Sequence, residues 1–569
     1  MTGSASAGDP PRSGGGCGTV FGIGLIVGGG LFLWVNLTDT PLALLLLDAL
    51  PVAAVWWPVL LVVWGAWKVL TRLRTGRAGL GFGEILLLSL LILGGTVFTL
   101  VQRVIESQGL HPRLAELRRL VEQQSSPFPL HVFVTDETVS LPAEGEVEIL
   151  ISLPAGNIRV EAAPAVEPGT TPASNPETAT PAVKGEAVVE GRLQLVKRVW
   201  AADDDEAAAR ADAVRLRTGP LDPESRRFPV RVDDSGTSEV ALELLATLPA
   251  GTRVSAFTEE GWVRIDGPFG RVEARTDDGS VEVRRTAGPV SLTVRNGAAW
   301  ASGIEGALEI RARRAAVEVD GVVGTATVEA EGAPVWISGA GSSVTVRSRN
   351  APVAIADSVG PIEIEARISP ITLNRIAGSA VLQSDFGDIA ATSIEGPLQI
   401  RINSAELEVR RASSGVDVQA DGGLLILDDV AGSLTVASGR GEVQASRLSG
   451  PADFAGDTGA ITVRGFGNSL SITGGDAEVD VATDTIAGDV ALTTGRGDVR
   501  LALPSAGSFA ISAQTGGGDV DSDFTLEKHG TDGMPRWEGR VGSGAEAVAI
   551  STEGGDITVR VRPAAGEAR

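Results

Sequence analysis

The sequence predicts three transmembrane helices followed by a parallel β-solenoid, that is, a β-helix wound from 18-residue coils. Three observations lead to this fold class. Glycines recur every 18 residues in the second half of the chain, apolar residues alternate within each repeat, and three apolar stretches lie near the N-terminus. A fixed repeat length indicates one small unit built many times, with each copy contacting only its neighbours.

The glycine repeat defines the coils. One slot in every 18 residues holds glycine or a small polar residue: Gly270, Gly288, Gly306, Gly324, Ser342, Gly360, Gly378, Gly396, Ser414, Gly432, Gly450 and Asn468. We number the positions of a coil from this slot, which counts as position 0. We expect the slot to be a corner, where glycine or a small residue accepts a turn conformation that a larger side chain would resist.

Apolar residues in each coil are spaced two apart. Positions 2 and 4 are apolar, as in Val290 and Leu292, and so are positions 11 and 13, as in Val335 and Ile337. A step of two is the period of a strand with one buried face, whereas a helix needs steps of three and four. Each coil is therefore predicted to hold two short strands, which pair with the same strands above and below at a rise of roughly 4.8 Å.

The N-terminal region predicts a membrane anchor. Residues 17–103 contain apolar stretches at Thr19–Leu37, Val52–Leu70 and Ile85–Val101, each near the roughly 20 residues that cross a bilayer as a helix. Residues 1–16 are polar and rich in Gly, Ser and Pro, which predicts a disordered cytoplasmic tail.

Basic residues predict the orientation. Lys68, Arg72, Arg74 and Arg77 lie between the second and third stretches, and the loop between the first two has no base. Positive loops stay in the cytoplasm. We therefore expect a multi-pass protein of the cytoplasmic membrane with its C-terminal domain on the extracytoplasmic side.

The remaining chain is predicted to divide into four parts. They are a juxtamembrane helix or linker (104–130), first strands with a Pro/Thr-rich insertion and a capping helix (131–250), the β-solenoid (251–525), and C-terminal cap strands with a tail (526–569). The capping helix, over Ala201–Arg217, is expected to start with acidic residues that cap its free N–H groups, with calcium binding as the alternative.

Charge and composition restrict the partners. The chain carries 48 Lys and Arg against 72 Asp and Glu, for a net charge of −24. The acidity belongs to the part after the basic membrane region, which argues for solubility there and against nucleic acid as a partner. A single cysteine, Cys17, excludes an intrachain disulfide framework.

The sequence predicts no catalytic, cofactor or metal site, and hence no enzyme. The three histidines are scattered, which disfavours zinc. Asp519, Asp521 and Asp523 resemble the start of a calcium loop, but the glycine and glutamate that such a loop requires are absent. A sugar-cleaving β-helix would need paired outward carboxylates, and Glu363 with Glu365 is the one local pair we single out.

One outward feature stands apart from this pattern. Position 12 should face away from the core, and it holds Trp300, Glu318 and Trp336 in three successive coils. The two indoles are predicted to lie about 9.5 Å apart on one face. They form a candidate platform for a sugar or a partner protein, unless residues 131–250 cover them.

Two resemblances accompany these patterns. Short phrases resemble strand starts in a bacterial putative adhesin family with β-strand repeats, over roughly residues 130–565: Leu153–Val160, Leu248–Val254 and the Gly-Asp-Ile/Val triplets at 387–389, 497–499 and 555–557. Trp57–Gly65, with the glycine-rich first span, is similar to the transmembrane region of LiaI–LiaF-like envelope proteins. The first resemblance implies an adhesin-like surface, and the second implies a link to envelope-stress sensing.

Together these patterns lead us to expect a membrane-anchored, non-enzymatic cell-envelope protein that presents a β-solenoid as a binding surface. Its expected partners are the lipid bilayer, through three transmembrane helices, and a cell-wall polysaccharide or an envelope membrane protein. Two alternatives stay open. One is a regulatory component of an envelope-stress response, which co-purification of a kinase-like membrane protein would favour. The other is a polysaccharide-active enzyme, which release of reducing sugar would favour.

Overall fold

The computed structural model describes residues 129–142, 147–163, 188–233, 240–530 and 534–562. The predicted cytoplasmic tail and membrane spans, and nearly all of the juxtamembrane segment and the Pro/Thr-rich insertion, lie outside these ranges. Within the described ranges, no helix has the length and apolar character needed to span a bilayer.

The described chain opens with seven strands and one helix. They are β1 (Leu130–Pro142), β2 (Glu148–Ala155), β3 (Asn157–Ala162), β4 (Val188–Trp200), α1 (Asp204–Ala213), β5 (Arg215–Thr218), β6 (Arg227–Asp233) and β7 (Val240–Leu248). The capping helix is thus shorter than the predicted Ala201–Arg217. Its expected C-terminal residues instead form β5, which pairs antiparallel with β6.

The start of α1 agrees with the capping prediction. Asp203 is the N-cap, and its Oδ1 accepts the backbone N–H of Glu206 at 2.8 Å. The Glu206 carboxylate in turn accepts the backbone N–H of Ala202 at 3.1 Å. This arrangement resembles a capping box, except that Glu206 bonds the N–H of Ala202, one residue before the N-cap.

Strands β8 to β32 form the regular solenoid. They are β8 (Arg253–Asp266), β9 (Arg271–Arg284), β10 (Val290–Ile304), β11 (Leu308–Arg313), β12 (Ala315–Val322), β13 (Ala326–Glu331), β14 (Val335–Ala340), β15 (Val344–Arg349), β16 (Val353–Ser358), β17 (Ile362–Arg367), β18 (Ile371–Ile376), β19 (Ala380–Ser384), β20 (Ile389–Ile394), β21 (Leu398–Ser404), β22 (Leu407–Ala412), β23 (Val416–Gly422), β24 (Leu424–Val430), β25 (Leu434–Ser438), β26 (Glu442–Leu448), β27 (Ala452–Gly456), β28 (Ala460–Phe466), β29 (Leu470–Gly474), β30 (Glu478–Ala482), β31 (Val490–Thr494) and β32 (Val499–Pro504).

These strands confirm the predicted parallel β-solenoid with its 18-residue coil. Val344 pairs with Ile362, and Val353 pairs with Ile371, each in parallel register one coil further on. Burial alternates along the strands, as it does in β15 and β16. The alternation arises because successive side chains of a strand point to opposite faces. One continuous apolar core therefore runs through the stack.

A left-handed backbone position ends the second strand of each coil. Position 15 has a positive φ in eleven consecutive coils: Arg285, Gly303, Gly321, Gly339, Asp357, Arg375, Ser393, Arg411, Asp429, Arg447 and Gly465. The buried residues around it are three apart rather than two, as with Ile355 and Ser358. The extra residue is a β-bulge, which shifts the alternation so that position 16 returns to the core.

The glycines of the coil slot serve a different purpose from the one expected. None of those at positions 270 to 450 has the positive φ of a glycine-specific turn. A Cβ on Gly288 would instead lie 1.7 Å from the carbonyl oxygen of Gly270, and one on Gly378 would lie 2.2 Å from that of Gly360. The slot favours glycine because the backbones of successive coils approach closely there.

The Gly-Asp phrases also follow from stacking. The side-chain Oδ1 atoms of Asp388 and Asp498 accept the backbone N–H groups of Glu406 and Asp556, each at 3.0 Å and on the neighbouring coil. A Cβ on Gly497 would lie 1.8 Å from the carbonyl oxygen of Ala477. In the phrase at 497–499, glycine thus allows the close approach and aspartate bonds the next rung.

The N-terminal end of the stack has an unexpected chain order. Strand β2 pairs in parallel with both β6 and β8, and β3 pairs with both β7 and β8. The coil formed by β2 and β3 is therefore inserted between the β6/β7 coil and β8. Beyond it, β4 pairs antiparallel with β7, and β1 pairs antiparallel with β4.

The C-terminal end of the stack also contains an inserted coil. The last strands are β33 (Phe509–Thr515), β34 (Val520–Ser522), β35 (Glu527–His529), β36 (Arg536–Val541), β37 (Glu546–Thr552) and β38 (Ile557–Arg562). The β37/β38 coil lies between β31/β32 on one side and β33/β34 on the other. We expected the final pair, β37 and β38, to end the stack, but it lies inside the stack. The end is covered by β36 and β35, which continue antiparallel from β33.

Candidate functional site

The three platform residues stand in one column across β10, β12 and β14. Trp300 is in register with Glu318, and Glu318 is in register with Trp336. Both indoles are half-buried and Glu318 is exposed. The column runs along the stack, so its members are spaced by the rise of one coil, roughly 4.8 Å.

Trp300 is hydrogen-bonded to one carboxylate and stands in register with a second. Its Nε1 donates a hydrogen bond to Glu318 Oε2 at 3.1 Å. On its other side the column holds Glu282, whose Oε2 accepts Arg264 Nε at 2.6 Å. The indole is thereby oriented by a polar contact at its edge.

Trp336 has a more open setting. Beyond it the column continues with Ala354, Thr372 and Ala390. These side chains are small, so they form a shallow shelf beside the Trp336 ring. A flat ring with a shelf on one side and the Glu318 carboxylate on the other can stack an apolar face and accept hydrogen bonds from hydroxyl groups.

The N-terminal strands do not pair with the platform strands. In the described chain, β1 to β7 form ladders with one another and with β8, at one end of the stack. Strands β10, β12 and β14 form ladders only with neighbouring coils. Within the described ranges, the sheet topology therefore gives no β-strand cover over Trp300 and Trp336.

Three of the other sequence candidates, Asp521, Asp523 and Glu365, are engaged in structural contacts. Arg560 pairs with both Asp521 and Asp523, at 3.1 Å from the Oδ1 atom of Asp523. Glu365 Oε2 accepts Arg347 Nε at 3.0 Å. No group of three or more potential metal-ligating side chains occurs in the described ranges.

Of the three histidines, only two are described. His131 contacts Asp204 through Nδ1 at 3.0 Å, whereas His529 is exposed in the end hairpin beside Glu538. His111 lies outside the described residues. The two described histidines stand at opposite ends of the stack and share no site.

A further surface was missed by the sequence analysis. Arginines recur at positions 5 and 7 of several coils and line a groove on the first strands, where β11, β13, β15 and β17 end. The signal was present in the sequence, because Arg275, Arg311 and Arg347 are 36 residues apart, which is two coils. It was overlooked because the outward positions were compared only as pairs within one coil.

The strand ladders, the 18-residue coil and the outward tryptophan column define a β-solenoid repeat protein with a candidate binding face. Residues 353–560 match the family model described as Toastrack DUF4097. The match covers the later coils and the C-terminal end, and it begins after the platform residues. No curated protein matches the chain.

One solved structure is similar over a large share of the chain. It is described as a putative cell adhesion protein from Clostridium sporogenes ATCC 15579. It is 8% identical, the alignment covers 76% of this chain and 100% of the other, and the TM-score is 0.11. At that TM-score, the similarity defines neither the fold nor the function of this chain.

Proposed function

We propose that this chain is a non-enzymatic cell-envelope protein whose β-solenoid is a rigid binding surface for a wall polysaccharide. The three N-terminal apolar stretches anchor it in the cytoplasmic membrane, with the solenoid on the extracytoplasmic side. The observation that carries the proposal is the Trp300–Glu318–Trp336 column. It combines two aromatic rings and an acceptor on one face of a rigid stack.

The chemistry of the column fits a sugar chain. Pyranose rings have apolar faces that pack on indoles, and their hydroxyl groups donate to carboxylates. The rings are about 9.5 Å apart because one coil separates them, so a sugar chain laid along the column could contact both. The fixed orientation of Trp300 by Glu318 reduces the entropy lost on binding.

The test compares full-length wild-type protein with the double variant W300A/W336A, using chitin oligosaccharide and purified cell-wall sacculi as probes. Removing two central aromatic contacts should weaken binding to both probes by at least about tenfold. The variant W262A is the matched control, because Trp262 is also half-buried and lies on β8, in a different column. It should bind like wild type.

Three outcomes would refute the proposal. Equal binding by W300A/W336A and wild type, with unchanged thermal unfolding, would show that the two tryptophans do not form the binding surface. Release of reducing sugar from sacculi would make the protein an enzyme. Protease protection of the solenoid in intact spheroplasts, with cleavage only after lysis, would place it on the cytoplasmic side.

A further inference from the structure

A second surface follows a corner of the solenoid, on the first strand of each coil. The groove has a volume of about 730 Å³ and crosses successive coils from Arg275 to Asp385. Its floor consists of small residues at position 6, such as Ala330 and Ser348, and its walls are the side chains at positions 5 and 7. In four successive coils a left-handed residue turns the corner directly after position 7: Arg314, Gly332, Asn350 and Ile368.

The groove reverses the charge balance of the protein. The whole chain has 72 acidic against 48 basic side chains. The groove is lined by seven arginines and five carboxylates. Positive charge is therefore concentrated in one concave strip of an acidic molecule, which favours an anionic ligand there over the rest of the surface.

Three of the seven lining arginines are positioned by their neighbours through Nε alone, whereas Arg275, Arg295 and Arg311 contact Asp277 or Glu309 through Nη atoms. Arg313, Arg347 and Arg367 each contact the acid of the next coil through Nε, at 3.0 to 3.1 Å. Their terminal Nη groups make no hydrogen bond to the described residues. Outside the groove, in contrast, Arg375 and Arg496 each grip one aspartate through both Nε and Nη2.

Among the arginines that line the groove, Arg349 is the one without a contact to an acid of the described residues. It is exposed, it is in register with Glu331 on one side and Arg367 on the other, and Glu331 is already bonded to Arg313. Its guanidinium has no hydrogen bond or ion pair within the described residues. A guanidinium presents five N–H donors in a planar fork that matches a carboxylate.

The spacing of the arginines at position 5 favours one class of polyanion, whereas the position-7 pairs Arg295/Arg313 and Arg349/Arg367 lie in consecutive coils. At position 5, Arg275, Arg311 and Arg347 occur in every second coil, about 9.5 Å apart. Thr293 and Glu329 occupy the coils between them. A polymer with a charge on every unit would place anions against Glu329, whereas one charge per two sugar rings would match the arginines and avoid the acids.

We propose that this groove, the arginine groove, binds an acidic polysaccharide that carries one carboxylate per disaccharide. The arginine groove lies on the first strands of the coils and the tryptophan column lies on the second strands. The two sites are therefore separate, and the proposal does not rest on the platform. The interleaved acids and the absence of aromatic side chains among the lining residues disfavour nucleic acid.

The test measures binding of full-length protein to an oligosaccharide of alternating glucuronate and N-acetylglucosamine, long enough to span the groove. The variants are R311Q/R347Q and R349Q. The double variant should bind at least about tenfold more weakly, because two charge-assisted contacts are lost. R349Q should bind more weakly with unchanged thermal unfolding, because the Arg349 guanidinium has no partner among the described residues. Wild type should prefer this oligosaccharide to polyphosphate.

The matched control is R410Q/R500Q, which removes two exposed arginines from the second strands of their coils, outside the groove. It should bind like wild type, as should W300A/W336A. Equal losses in the control and groove variants, or equally tight and equally arginine-dependent binding of polyphosphate or single-stranded DNA, would reduce the site to general anion attraction and overturn the proposal. So would an absence of binding by wild type.

Discussion

The ammonium group of Lys197 lies 2.7 Å from the carbonyl oxygen of Ala211, near the C-terminus of α1. It also donates to the carbonyl oxygen of Val214 at 2.6 Å. Lys197 is only 7% exposed, and this burial lowers the pKa of its ammonium group. The last carbonyls of a helix have no intrahelical partners, so one buried cation satisfies them and ties α1 to β4.

The first prediction concerns this link. K197M keeps most of the side-chain volume but removes the ammonium donor from two buried carbonyls. The Ala211 carbonyl keeps only the long hydrogen bond from the N–H of Val214 at 3.3 Å, so α1 should lose about 2 kcal/mol of local stability. Hydrogen exchange of the α1 amides measures this, with protection expected to fall at least about tenfold. K528M is the control, because Lys528 is exposed over Trp537 at the other end of the stack. Unchanged α1 protection in K197M would show that the contact contributes nothing.

Glu148 joins the inserted β2 to both of its neighbours. Its Oε1 accepts Ser255 Oγ at 2.7 Å and its Oε2 accepts Arg227 Nε at 2.8 Å. Burial raises the pKa of Glu148, but the hydrogen bonds from Ser255 and Arg227 outweigh it, so that the pKa lies below its ordinary value. A carboxylate with a depressed folded-state pKa stabilises the fold above its unfolded-state pKa, and this contribution is lost as the pH falls through the folded-state pKa.

The second prediction follows from that sign. Above the ordinary glutamate pKa of about 4.3, E148Q should be less stable than wild type by about 1 kcal/mol. The difference should shrink as the pH falls from that value through the lower folded-state pKa, because the carboxylate is protonated first in the unfolded chain and then in the folded protein. Thermal unfolding midpoints across this range give the measurement. E259Q, at an exposed position on β8, should show a difference that is small at every pH, and a pH-independent difference for E148Q would refute the assignment.

The third prediction tests the inserted C-terminal coil. Truncation before Glu546 removes β37 and β38, and with them the buried residues Val548, Ile550, Ile557 and Val559. Their burial contributes on the order of 10 kcal/mol, and their loss separates β31 and β32 from β33 and β34. The truncated protein should lose protection from proteolysis over residues 509–541 and self-associate through an exposed edge.

Truncation after Arg562 provides the control, because it leaves every described strand intact. It should remain protected and keep the same elution volume on size exclusion. If truncation before Glu546 gave the same result, the β37/β38 coil would not be an internal rung of the stack.

The regular coils were predictable because their information is local. Val344 and Val346 repeat in Ile362 and Ile364 one coil later, and the same two-residue step recurs in every unit. Period, strand positions and parallel pairing therefore all follow from one short pattern. The outward placement of Trp300 and Trp336 in register with Glu318 follows from the same arithmetic.

The ends were not predictable in the same way. The β2/β3 coil is inserted between β6/β7 and β8, and the β37/β38 coil between β32 and β34, so that neighbours in space are not neighbours in the sequence. No periodicity encodes that order. It depends on pairings between segments that lie far apart in the sequence.

The left-handed conformation at position 15 could not be predicted, because several residue types occupy that position. Gly303, Gly321 and Gly339 mark it in the early coils, but Asp357 and Arg375 occupy it later, and arginine gives no sign of a positive φ. The coil slot was easier to recognise, because a close backbone approach excludes nearly every side chain. Glycine was thus found where space is limiting and missed where conformation is limiting.

That distinction gives the last prediction. A Cβ on Gly378 would lie 2.2 Å from the carbonyl oxygen of Gly360 and 2.7 Å from that of Val359, both of them backbone atoms that cannot rotate away. G378A should therefore force two coils apart and destabilise the solenoid by about 1 to 3 kcal/mol. The control is G422A, because a Cβ on Gly422 meets nothing within 4 Å and its φ is not positive. G422A should change stability by no more than about 0.5 kcal/mol, or raise it slightly by restricting the unfolded chain. Chemical denaturation of both variants measures the two effects. If the two substitutions had equal effects, the coil slot would select glycine for its backbone freedom. The close approach of successive coils would then not be the cause of the glycine repeat.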